Sequence, residues 1–154
     1  MGGVVKVVWV SRVQPLPAQL RMLRELLGEY RLVLVRPPAR LDGDEQQRRL
    51  VERVRALRPD VVVVFAPRGA YARLVSKMLG AGLEVWYCAS VTLHREVGGL
   101  CSEFDPSSDV LVVRGDAVLH KRVAQFLKVV GVVEGDGGRL HLEVVPLDRC
   151  DALV

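Results

Sequence analysis

The sequence contains no asparagine and no isoleucine, and its single threonine is Thr92. Its basic residues are also unbalanced, with eighteen arginines against four lysines. A shortage of asparagine is typical of proteins that avoid heat-labile amides. A very GC-rich genome would cause the same bias toward arginine and away from asparagine and isoleucine. The composition therefore fits a thermophilic source without requiring one.

Aromatic residues are scarce, at 5% of the chain, although half of all residues are hydrophobic. The core must therefore be built from valine and leucine, the composition typical of strands that are covered on both faces. A chain of 154 residues has the usual size of one domain. We predict one α/β domain over residues 1–147, followed by a tail at 148–154.

The sequence has few cysteines and no long apolar run. Cys88, Cys101 and Cys150 are an odd number at wide spacing, which argues against the disulfide framework of a secreted protein. No apolar run reaches the roughly 18 residues of a membrane-spanning helix, and residues 1–4 lead into a strand without a signal-peptide pattern. We therefore expect a cytoplasmic protein with no membrane partner. Its net charge of +4 permits nucleic-acid binding without requiring it.

Short apolar runs alternate with helical patterns through the first ninety residues. The predicted helices cover residues 17–27, 45–57 and 70–79, and the predicted strands cover residues 4–10, 30–35, 61–65, 83–89 and, after a long loop at 94–108, residues 109–114. Strand–helix–strand units have right-handed crossovers, which make the sheet parallel. The pattern predicts a Rossmann-like three-layer α/β sandwich with about five parallel strands and helices on both faces.

The C-terminal third is less regular. Residues 117–127 have helical spacing, which favours a helix, although an extended conformation also fits. Residues 128–134 and 140–145 flank the glycine-rich turn at 135–138, which is typical of a β-hairpin. This C-terminal hairpin would lie at the sheet edge or serve as a dimerisation arm, so a homodimer is one expected assembly.

Four of the predicted strands end in an arginine, namely Arg12, Arg36, Arg68 and Arg114. If the strands are parallel, these side chains emerge along the sheet edge where open α/β sheets bind ligands. Guanidinium groups bind phosphate and carboxylate bidentately. This arginine crest predicts an anionic ligand, such as a nucleotide or another phosphorylated molecule. The competing explanation is the abundance of arginine throughout the chain.

Two segments of the arginine crest are the strongest candidates for ligand contact. Ser11 and Arg12 follow the first strand, and the first strand-to-helix turn usually meets the ligand in such sheets. At Arg68 and Gly69, the glycine would let backbone N–H groups approach an anion at a helix N-terminus. Neither a GxGxxG nor a GxxxxGK[ST] motif occurs. We predict no cofactor.

The sequence leaves open whether the protein is an enzyme. His94 is a candidate general base that would act with Ser11, which makes a hydrolase or nuclease the main alternative. Cys88, His94 and Cys101 lack the tight paired spacing of zinc motifs, so no metal is predicted, and Cys88 is more simply a core residue. A third alternative is a non-enzymatic interaction or oligomerisation module that uses the C-terminal hairpin.

The predicted architecture is similar to that of the nucleotide-sensing domains of CRISPR-associated proteins. The similarity is confined to a compact Rossmann-like sheet with a basic crest, and a shared fold does not determine function.

Overall fold

The structure is a computed structural model that describes residues 3–65, 70–97 and 104–147. Within these ranges the chain forms three α-helices and seven β-strands. The helices are α1 (Pro17–Leu27), α2 (Asp44–Ala56) and α3 (Ala70–Gly80). The strands are β1 (Val5–Val10), β2 (Tyr30–Val35), β3 (Val61–Val64), β4 (Val85–Val97), β5 (Asp109–Arg114), β6 (Ala117–Glu134) and β7 (Leu140–Pro146).

The seven strands form one mixed sheet in the order β2-β1-β3-β4-β6-β5, with β7 also paired to β6. Strands β1 to β4 are parallel, as predicted. The prediction of a fifth parallel strand is wrong, because β5 enters the sheet as the antiparallel neighbour of β6 and β6 is antiparallel to β4. A mixed α/β fold is thus confirmed, whereas the mixed sheet does not confirm the Rossmann-like sandwich.

Helices cover both faces of the parallel strands. On one face, Leu50 of α2 and Leu74 of α3 belong to the larger buried cluster. On the other face, Leu23 of α1 packs with Trp9 and Phe126. Full burial of each such side chain contributes about 1.5–3 kcal/mol. The parallel strands are therefore anchored from both sides, with β3 completely buried between the two layers.

The predicted helix at 117–127 is wrong, because these residues belong to β6. Leu119, Val123 and Phe126 have helical spacing, but the pairing of β6 with β4 skips Ala124. A residue left out of the ladder forms a β-bulge and shifts the two-residue alternation by one position. The bulge brings Val123 and Phe126 to one face of the strand and so gives a strand the spacing of a helix.

Strand β4 continues beyond the parallel part of the sheet. Residues 94–97, predicted as the start of a loop, extend β4 and pair with β6. Together with β5 and the first part of β6, this extension forms a region that we call the arm; it comprises residues 90–97, 109–114 and 117–123. Residues 98–103 of the predicted loop lie outside the described residues.

The C-terminal hairpin is confirmed, since β6 and β7 pair antiparallel around residues 135–138. The predicted tail at 148–154 lies outside the described residues. None of the helices in the described part of the chain is both long enough and apolar enough to cross a membrane.

Candidate functional site

The strand order reverses between β1 and β3, because β2 lies on one side of β1 and β3 lies on the other. Open α/β sheets bind ligands at such switch points, outside the carboxyl ends of the strands. A cavity of about 570 Å³ opens at this position. It is lined by Trp9 and Ser11 at the end of β1, by Phe65 after β3, and by residues of α1, β4, β5 and β6. We call it the switch-point cavity.

Aromatic side chains form one wall of the switch-point cavity. The rings of Trp9 and Phe65 lie 4.6 Å apart between centroids and are tilted by 54°. Phe126 packs against Trp9, with ring centroids 6.4 Å apart. Trp9 is almost fully buried. Phe65 is only partly buried, so it is the ring of this wall that a flat ligand could contact.

Polar groups lie beside the aromatic wall. Gln19 of α1 is buried, its Oε1 accepts a hydrogen bond from the Leu16 backbone N–H at 2.7 Å, and its Nε2 donates to Cys88 Sγ at 3.3 Å. Ser11 Oγ accepts a hydrogen bond from the Val13 backbone N–H at 3.0 Å, which fixes the turn after β1. The side of the cavity next to α1 is therefore polar and held by its own hydrogen bonds.

Lys121 of β6 is the only basic side chain among the residues described as lining the switch-point cavity. Its neighbours His120 and Arg122 point to the opposite face of the strand, because side chains alternate along a strand. On that face both neighbours bind Asp109 of β5. The alternation therefore directs Lys121 into the cavity.

The carboxylate of Asp109 is fully buried and joins β5 to β6. Arg122 donates from Nε to Oδ1 at 2.7 Å and from Nη2 to Oδ2 at 2.9 Å, and His120 Nε2 lies 2.6 Å from Oδ2. The Ser108 hydroxyl and the Asp105 backbone N–H also donate to this carboxylate. These bonds, chiefly those from Arg122, hold the pKa of Asp109 far below its usual range. We call these residues the Asp109 cluster.

The structure brings together only part of the predicted arginine crest. The Ser11 backbone N–H donates to the Val35 carbonyl at 3.2 Å, and Arg12 Nη1 donates to the Pro37 carbonyl at 3.4 Å. Ser11, Arg12 and Arg36 therefore lie together at the ends of β1 and β2. Ser11 lines the switch-point cavity, whereas Arg12 and Arg36 are exposed and are not among its lining residues.

Arg114, another member of the arginine crest, does not lie beside these three residues. Arg114 is level with Val97 in the ladder, ten residues further along β4 than Tyr87. That is about 30 Å of extended strand, so Arg114 lies at the far end of the arm and not at the switch point. Arg68 and Gly69 lie outside the described residues.

The candidate catalytic residues are likewise divided, since Ser11 lies at the switch-point cavity and His94 lies in the arm. His94 lies in the arm, opposite His120 in the β4–β6 ladder, and its role as a general base stays a prediction. Cys88 is buried, as expected of a core residue. Burial raises the pKa of its thiol to about 11, partly offset by the hydrogen bond from Gln19. Cys88 is therefore protonated at neutral pH, which does not favour thiolate chemistry.

Three or more potential metal ligands do not come together anywhere in residues 3–65, 70–97 and 104–147. Cys101, which the sequence places near Cys88 and His94, lies outside these ranges. Comparison of the chain with protein-family models, with curated proteins and with solved structures gave no match.

Most lining residues of the switch-point cavity were not predicted as site residues, and Gln19, Phe65 and Lys121 are the most informative of them. Phe65 could have been found, because it follows β3 at the same sheet edge as Ser11. Lys121 was missed because the bulge at Ala124 made β6 read as a helix. Gln19 gave no signal, since a glutamine in the first turn of a helix is ordinary.

Proposed function

We propose that this protein is a small-molecule-binding module that takes a nucleotide or another phosphorylated ligand in the switch-point cavity. The observation that carries the proposal is the position of the cavity, at the reversal of strand order between β1 and β3. Ligand sites of α/β sheets concentrate at this position. The volume of about 570 Å³ also lies within the usual range for small-molecule sites.

The lining of the cavity supports the class of ligand. A planar base would pack against the partly exposed ring of Phe65 in this wall, because aromatic faces favour flat, apolar partners. A phosphate would lie toward Lys121, whose ammonium supplies charge-assisted hydrogen bonds. Arg12 is adjacent in sequence to two lining residues, Ser11 and Val13, and would add positive potential near the rim.

The proposal is tested first by thermal unfolding in the presence of nucleotides, short linear and cyclic oligonucleotides, and sugar phosphates. A ligand at 100 times its Kd stabilises the native state by about 2.7 kcal/mol, which for a chain of this size raises Tm by roughly 5–10 °C. The absence of any shift across the panel would contradict the proposal.

For a phosphorylated ligand found in that screen, Lys121→Gln is expected to raise Kd about tenfold or more. The reason is the loss of a charged hydrogen bond, worth about 1.5–3 kcal/mol. Lys128→Gln is the matched control, since Lys128 lies in the same strand but contacts Glu84 outside the cavity. Titration calorimetry would measure both. Equal affinity of the wild type and Lys121→Gln would show that the phosphate does not lie beside Lys121.

A second candidate function, self-association, is favoured by the outer edge of β5. This strand is last in the sheet, and in the described part of the chain it pairs only with β6. Val113 is 72% exposed and Leu111 is 36% exposed. The strand contains neither the lysine nor the proline with which natural proteins usually protect an open edge. A second copy paired antiparallel across a two-fold axis would satisfy this edge.

Self-association predicts a dimer that Val113→Lys disrupts, because a charge in the new ladder would lose its hydration. Light scattering across a concentration series would give the mass of each variant. Val133→Lys is the control, since Val133 is also exposed but belongs to the β6–β7 hairpin. A wild type that remains monomeric at high concentration would contradict this second candidate.

A further inference from the structure

The outermost strand of the sheet also forms part of the wall of the switch-point cavity. Strand β5 is last in the strand order, and in the described part of the chain it pairs only with β6. Val110, Leu111 and Val112 of this strand all line the cavity. The strand that leaves one edge of the sheet open therefore also borders the candidate ligand site.

The two faces of β5 have different surroundings. Val110 lies directly opposite Lys121 in the β5–β6 ladder, so the two side chains share the face on which the cavity opens. Side chains alternate along a strand, so Val113 lies on the opposite face, where it is 72% exposed. Val113 is not among the described lining residues. A substitution at Val113 thus changes the sheet edge without placing a new side chain in the cavity.

A second copy of the chain is the partner that the open edge of β5 fits. Residues 110–113 read Val-Leu-Val-Val, so antiparallel pairing of this segment with itself places an apolar residue opposite an apolar residue at every position. The two copies are then related by a two-fold axis perpendicular to the sheet. The same face of both sheets lies on one side, and the two switch-point cavities open side by side.

We propose that this second copy completes the wall of the switch-point cavity, so that dimerisation through β5 and ligand binding strengthen each other. The inference rests on the proposed function and on the self-association described above. In the monomer, Val110 and Val112 are only partly buried and belong to the last strand before solvent. In the dimer, the same two valines of the second copy lie beside them. Because small-molecule sites bury most of the surface of their ligand, the cavity of the dimer binds more tightly.

The coupling is reciprocal, which fixes the relation between two separate measurements. If each cavity of the dimer binds about tenfold more tightly than the cavity of a monomer, occupation of both cavities strengthens dimerisation about a hundredfold. The ligand affinity of the wild type must also rise with protein concentration, since dimers form at the expense of monomers.

The first test compares ligand affinity in the wild type, Val113→Lys and Val133→Lys. The probe is the compound among ribonucleoside monophosphates, short linear and cyclic oligonucleotides, and ribose 5-phosphate that raises the Tm of the wild type most. Titration calorimetry is run at a concentration at which the wild type is dimeric. We expect Val113→Lys to raise the Kd of the probe about tenfold. Val133→Lys should stay within twofold of the wild type, since Val133 belongs to the β6–β7 hairpin.

The second test uses the wild type alone and so does not depend on the folding of a variant. Sedimentation velocity across a concentration series gives the midpoint of dimer formation without the probe and with the probe at saturation. We expect saturation to lower this midpoint about a hundredfold.

The outcomes separate the inference from the proposed function. If the probe binds equally well to the wild-type dimer and to monomeric Val113→Lys, or if saturation leaves the midpoint of dimer formation unchanged, the inference is wrong and the cavity remains a ligand site of each copy. A wild type that binds the probe but stays monomeric at high concentration has the same meaning. If no compound of the panel binds, the proposed function fails and the inference with it.

Discussion

Replacing Asp109 with asparagine is expected to lower the free energy of unfolding by about 3 kcal/mol, because it removes charge-assisted hydrogen bonds from a buried carboxylate. The carboxylate of Asp109 is fully buried and takes both hydrogen bonds of the Arg122 fork. It also contacts the buried His120 ring. An asparagine would present an amide NH₂ to groups that donate to the present carboxylate, and it would remove the negative charge that the Arg122 guanidinium binds.

The same residue sets a pH dependence whose sign follows from its pKa. The pKa of Asp109 is lower in the folded protein than its ordinary value, which is near 4 in an unfolded chain. Its contribution to stability is therefore complete above about pH 4 and is lost as the pH falls below that value. In Asp109→Asn this part of the acid destabilisation should disappear, so the difference in stability between variant and wild type narrows with acidity.

Thermal and urea unfolding at neutral pH and at about pH 3 would measure both effects. A loss of about 3 kcal/mol corresponds to a Tm lower by roughly 10 °C for a chain of this size. Asp44→Asn is the matched control, because the Asp44 carboxylate contacts Lys77 but is 71% exposed, and such surface pairs contribute little. A change below about 1 kcal/mol in Asp109→Asn would show that the cluster does not hold β5 to β6.

The parallel half of the sheet could be predicted because each of its signals is local. The bounds of β2 agree with the sequence pattern, which is an apolar run closed by Pro37 and Pro38. Helix α1 begins at Pro17 and ends before Gly28, whose φ of 74° is costly for other residues. Neither boundary depends on what the segment packs against.

The antiparallel half could not be predicted because its signals depend on pairing between distant segments. The bulge at Ala124 exists only in the ladder with β4. Strand β6 pairs with other strands along both of its edges, and this pairing outweighs the helical spacing of its sequence. This error also affected the predicted site. If residues 117–127 form a helix, they cannot pair with β5, and β5 is then predicted as a parallel strand. The wrong prediction therefore placed Arg114 in the arginine crest and gave no reason to expect Lys121 in the cavity.

Replacing Phe126 with alanine is expected to cost about 3–5 kcal/mol, the usual result of deleting a buried aromatic ring. Phe126 is 2% exposed, and its ring contacts those of Trp9 and Trp86, with centroids 6.4 Å and 6.3 Å away. It lies just beyond the bulge at Ala124, where β6 leaves the parallel sheet for the arm. Its loss would leave a cavity behind the aromatic wall and would remove the packing that joins β1 to β6.

Two comparisons make this last prediction specific to packing. Phe126→Leu retains most of the apolar volume and should cost about 1 kcal/mol. Phe104→Ala removes the same ring from a position that is 37% exposed and should cost clearly less than Phe126→Ala. Urea unfolding followed by tryptophan fluorescence would report all three, since Phe126 packs against both tryptophans. Equal losses for Phe126→Ala and Phe104→Ala would mean that the aromatic wall does not depend on support from Phe126 of β6.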